Sequence, residues 1–100
     1  MTAVHYPSLA EAFPSLTAEI VELLIGEDPG LARTIPDLRF HGRCACAPTC
    51  RVLLTAPLGS PSTGVIVLER DSATVALLNY DPVARSVTGI EVLDDRDLRE

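Results

Sequence analysis

Gly64-Val65-Ile66-Val67-Leu68-Glu69, then Arg70-Asp71-Ser72-Ala73, then Thr74-Val75-Ala76-Leu77-Leu78-Asn79-Tyr80 is the stretch that decides the fold. Two runs rich in β-branched and aliphatic residues flank a segment of turn chemistry, the pattern of a hairpin. A connection this short argues against parallel pairing, which needs a crossover of about a dozen residues. Outward from the hairpin, Asp81-Pro82-Val83-Ala84-Arg85 reads as a second turn leading into a strand over Val87–Leu93. Upstream, Leu38–Arg43 and Arg51–Ala56 read as two further strands, and the Pro- and Gly-bearing stretch 57–64 as a flexible loop. The expectation is an antiparallel sheet of about five strands over residues 38–93, arranged as a meander.

The first third has the helical period instead. Ser8-Leu9-Ala10-Glu11 fits a capping box, in which the Ser hydroxyl accepts from the amide three residues on. Pro14 interrupts or restarts that helix, because proline cannot donate to the preceding turn. Leu16, Ile20, Leu23 and Leu24 then recur on one face, with Glu19 and Glu22 off it, and Gly26 is a natural stop. Asp28-Pro29 pairs an N-cap with proline at the first helical position, starting a short helix that docks Leu31 and Ile35 and ends at Pro36. Helices over 8–35 followed by strands give an α+β architecture, with the helices covering one face of the sheet. The other face is left to solvent or to a second copy of the chain.

The 100 residues fit one domain, and 47% hydrophobic composition supports one modest core. With only Tyr6, Phe13, Phe40 and Tyr80 aromatic and no Trp, that core is aliphatic. No apolar run approaches the roughly 20 residues of a membrane helix. The opening residues lack the basic and apolar regions of a signal peptide, so the expected location is the cytoplasm, where stable disulfides are rare. Net charge is −6, which argues against duplex nucleic acid as a partner. The charge is unevenly spread: residues 1–37 are strongly acidic, residues 38–60 carry Arg39, Arg43 and Arg51 and no acid, and residues 94–100 read as a solvated acidic tail.

The one local constellation is His41-Gly42-Arg43-Cys44-Ala45-Cys46-Ala47-Pro48-Thr49-Cys50. Pro48 favours a chain reversal that brings Cys46 and Cys50 together, and Cys44 and Cys46 share strand parity. Three readings stay open. Cys44, Cys46 and Cys50 with His41 are a possible Cys₃His zinc set, although the spacing is not that of paired C-x₂-C knuckles and His41 needs a bulge at Gly42 to join them. Arg43 and Arg51 would stabilise a thiolate, which suits a thiol-redox module. Buried cysteine also packs as a small hydrophobe with no chemistry at all. Arg39, Arg43 and Arg51 form a further candidate, an anion- or partner-docking patch, against the alternative of a plain polar face.

The run Arg43-Cys44-Ala45-Cys46 to Cys50, with Thr55-Ala56-Pro57 and Gly89-Ile90-Glu91-Val92-Leu93, resembles a family of small uncharacterised actinobacterial proteins over most of its length. Where members often carry Gly-Asp after the second cysteine, this chain has Ala47-Pro48. The resemblance implies an acidic helical start, a cysteine-bearing hairpin and closing strands, and no activity, cofactor or catalytic residue. Nor do the residues supply an acid–base pair, a nucleophile with its base, or a phosphate-binding loop. Binding or assembly is therefore expected ahead of catalysis, with an unknown protein or a second copy as partner.

Overall fold

A computed structural model of the chain describes residues 6–43, 50–57, 59–94, 96 and 98. The fold is α+β: N-terminal helices pack on a five-stranded antiparallel sheet. Helix α1 (Leu9–Ala12) opens at Ser8, whose Oγ accepts from the Glu11 amide at 3.1 Å. Helix α2 (Pro14–Leu24) begins at Pro14, so the proline restarts the helix at a position where its missing N–H costs nothing. Leu16, Ile20 and Leu24 are buried along one stripe. Thr17 is also buried, its hydroxyl donating to the Phe13 carbonyl at 2.7 Å. Helix α3 (Pro29–Ala32) starts at Asp28, whose carboxylate accepts from the Leu31 amide at 3.0 Å. Pro36 does not end the helical segment as expected. It sits in the first turn of a 3₁₀ helix over Ile35–Asp37, where proline needs no backbone donor.

The strands are β1 (Gly42–Arg43), β2 (Val52–Leu54), β3 (Gly64–Arg70), β4 (Ala73–Asp81) and β5 (Ser86–Val92). Their spatial order is β1-β2-β5-β4-β3. Sequential neighbours pair within β1-β2 and within β3-β4-β5, as in a meander. The 55–63 connection then carries the chain to the opposite edge, and β2 lies beside β5 rather than β3. Among the described residues the sheet's two edges are therefore β1 and β3. The expected first strand is also shorter than Leu38–Arg43. Its leading half pairs with the N-terminal segment instead: the Leu9 amide donates to the Leu38 carbonyl at 2.6 Å, and the Phe40 amide to Pro7 at 2.9 Å.

The β3–β4 turn has positive φ at both central residues, 53° at Asp71 and 67° at Ser72. This left-handed pair suits the right-handed twist of a hairpin. Two bulges then adjust the sheet. Register shifts between Leu68 and Glu69 on β3 leave Val75 as the extra residue on β4, and a shift at Asn79/Tyr80 leaves Thr88 extra on β5. An extra residue flips the in/out alternation. That is why Val75 and Ala76 are both buried, and why Val87 reaches the same core as Ile90 and Val92. Thr55 braces the second bulge: its amide donates to Thr88 O at 3.0 Å and its hydroxyl to Val87 O at 2.7 Å. Thr55 is only 7% exposed, so Thr55→Val leaves a buried carbonyl without its donor. Chemical denaturation should show a loss of about 1–2 kcal/mol.

The core lies between the helices and one sheet face. Leu9, Ile20, Leu24 and Ile35 from the helical side meet Leu53, Leu68, Leu78 and Ile90 from the strands. Phe13 and Phe40 meet edge to face with centroids 5.1 Å apart. Among the described residues no helix is long and apolar enough to cross a membrane.

Candidate functional site

Cys44 and Cys46 lie outside the described residues. Cys50 is a half-buried free thiol. Among the described residues no cluster of three His, Cys, Asp or Glu side chains is arranged to hold a metal ion. His41 pairs its amide with Leu54 O at 2.8 Å, and its ring stacks on Tyr6 with centroids 4.1 Å apart. Arg39 reaches the same segment, donating from Nη1 to Tyr6 O at 3.3 Å. Arg39 and His41 thus both hold the N-terminal segment against the sheet. Arg43 is exposed on β1 opposite Leu53.

Arg51 goes elsewhere. Its guanidinium donates to Val92 O at 3.4 Å, Asp94 O at 3.0 Å and Arg96 O at 2.6 Å. The three arginines grouped in sequence therefore serve two separate places, and Arg51 is a clamp on the chain after β5. At its described residues, Asp94, Arg96 and Leu98, that segment is docked on the fold, not solvated as its composition suggests. Arg96 forms a bidentate pair with Asp94, Nε to Oδ1 at 2.8 Å and Nη2 to Oδ2 at 2.6 Å, and also bonds Glu19 on α2. Glu19 in turn accepts from Arg70 Nε at 3.1 Å, and Arg70 approaches Glu22 at 3.3 Å. Leu98 is 6% exposed and belongs to the core. The signals of this in the sequence are the lone Leu98 among charges and the Asp94–Arg96 spacing.

The hydrogen bond from Arg96 holds the Asp94 carboxyl below its ordinary value of 3.8. A carboxylate whose pKa is depressed on folding stabilises the fold above its unfolded pKa and loses that contribution as pH falls through the folded value. Between pH 7 and pH 2, Asp94→Asn should therefore flatten the acid limb of the stability curve. The partners are partly exposed, so the difference at neutral pH should be about 1 kcal/mol or less. Thermal melts across that range measure it.

Two recesses are lined by described residues. One of about 150 Å³ is lined by Leu54, Pro57, Ser60, Asn79, Thr88 and Gly89. It holds no charged group, and it is small against the roughly 300–1,000 Å³ typical of ligand sites. The other, about 310 Å³, is a recess bounded by Gly30, Leu31, Thr34 and Arg85. Neither gathers the convergent polar groups of a catalytic site.

The remaining distinctive surface is the sheet face away from the helices. Val65 is 59% and Val67 44% exposed there, side by side on the edge strand β3. By register Val65 stands opposite Asn79, and Val67 opposite Leu77, which stands in turn opposite Glu91 on β5. From Gly64 to Leu68 the strand carries no charge and no proline, the devices that commonly blunt an exposed edge. The other edge strand, β1, spans only two residues. No family model, curated protein or solved structure matches the chain.

Proposed function

We propose that this is a non-enzymatic assembly protein whose working surface is the outer edge and uncovered face of β3. The exposure of Val65 and Val67 on a seven-residue edge strand carries this reading. Burying them against another strand removes apolar area from water, while the unpaired amides and carbonyls of an edge offer a ladder. The chemistry of the surface is main-chain pairing with side-chain selection by small apolar residues, so the class of ligand is an extended segment.

A fluorescent nonapeptide with the sequence of Ser62–Arg70 is a suitable probe, since it carries the strand's own pattern. Titrated against the whole protein, it should bind in the micromolar range or weaker and lose at least about tenfold in affinity against a Val65→Lys/Val67→Lys variant. Equal binding to both proteins, or none to either, would overturn the reading. Both substitutions are at exposed positions, and circular dichroism checks that the fold is kept.

A further inference from the structure

We infer that the strand received by β3 is β3 of a second copy, paired antiparallel about a two-fold axis at Ile66; this rests on the edge reading above. The symmetry of the segment itself points there. Pairing stops where a proline lacks its donor or where the chain turns away. Upstream of β3 the stop is Pro61; downstream it is Asp71, in the left-handed turn. Residue 66 is midway between them, so the ladder would extend over Ser62 and Thr63, ahead of the strand at Gly64–Arg70. A two-fold through Ile66 therefore places each copy's Pro61 opposite the other's Asp71, and both ends of the ladder close together.

That register also sorts the side chains. On the uncovered face Val65 falls opposite Val67, twice, giving two cross-strand apolar pairs from the exposed valines of the strand. On the helix-covered side Ile66 meets its own copy, and Gly64 stands opposite Leu68. The charged residues fall opposite neutral ones, Glu69 opposite Thr63 and Arg70 opposite Ser62, so no like charges meet. Moving the axis one pair along, to Val67, would set Val65 against Glu69, covering a carboxylate with a valine. A two-fold relating antiparallel edge strands runs perpendicular to the sheet, so the helices of both copies stay on one side and a single ten-stranded sheet results. Two edge strands bury less than a standard interface, so the dimer should dissociate at about 10–100 μM.

Sedimentation equilibrium of the whole protein from about 1 to 500 μM tests this. The wild type should rise from 10.7 kDa towards twice that mass. Val65→Lys/Val67→Lys sets Lys opposite Lys at both sites and should weaken association at least about tenfold. Val65→Lys/Val67→Glu sets Lys opposite Glu at both sites, so it should remain dimeric and loosen as salt rises. With the axis at Val67 instead, both variants would set the new Lys at position 65 against Glu69 twice and one like-charge pair at position 67, so the two would associate alike. A Val65→Lys/Val67→Glu protein as monomeric as the double-Lys variant would overturn the register. A wild type that stays at 10.7 kDa throughout would overturn the second copy. In that case the nonapeptide decides separately whether the edge binds strands at all.

Discussion

Ile90→Ala should lower the free energy of unfolding by about 3–4 kcal/mol and the melting temperature by about 15 °C or more. Ile90 is fully buried on β5 and stands opposite Leu53 on one side and Leu78 on the other, so it joins the two halves of the sheet. Those two neighbours are themselves fully buried, and β5 is held in register from both flanks. The site cannot collapse around the missing atoms without moving two strands, which puts the cost towards the middle of the observed range for such truncations. Against a typical stability of about 5–15 kcal/mol the loss is large. Urea titration of the wild type and the variant measures it. A loss below about 1 kcal/mol would mean that β5 is not the central strand of this core.

The central place of β5 explains what the amino-acid pattern could and could not disclose. The hairpin 64–80, the caps at Ser8 and Asp28 and the restart at Pro14 depend on near neighbours, and all of them are visible as residue types at fixed offsets. Strand order depends on where the long 55–63 connection goes, and nothing in that stretch states whether it turns back or crosses. The two bulges leave a faint trace. Val87 and then Ile90 and Val92 break simple alternation on β5, and only an extra residue lets all three face the core. Leu38–Phe40 has strand composition, but its backbone groups pair with Pro7–Leu9, a choice made by tertiary packing.

The arginines show the same limit at the level of sites. Arg39, Arg43 and Arg51 look like one patch because they are near in sequence and no acid intervenes. In the structure Arg51 turns to the carbonyls of Val92 at the end of β5 and of Asp94 and Arg96 beyond it, while Arg39 holds Tyr6. A guanidinium donates to carbonyl groups as well as to anions, and composition does not record carbonyl positions. The exposed valines, by contrast, were hidden by their own chemistry. A hydrophobic run in a strand reads as core, and only the strand order puts Val65 and Val67 on an outer edge.

The segment after β5 provides the sharpest separation between tail and structure. Arg96→Ala with Leu98→Ala should cost about 3 kcal/mol, most of it from Leu98 and the remainder from the broken pairs. Arg96 joins Asp94 to Glu19 on α2, and Leu98 fills the core, so the two residues tie the described part of the segment after β5 to the fold. Their removal also frees the carbonyls that Arg51 clamps. The effects of these neighbours should not add, since Arg51, Asp94 and Arg96 share one network. The loss should be local before it is global. Leu93 donates to Val75 O at 2.9 Å and Val92 to Arg51 O at 3.0 Å, next to the released segment. Their amides should exchange about a hundredfold faster in the variant, through an opening that spares the β3–β4 hairpin. If the protection of Leu93 were unchanged, the chain beyond β5 would be ornament to the fold, and the burial of Leu98 would contribute nothing to it.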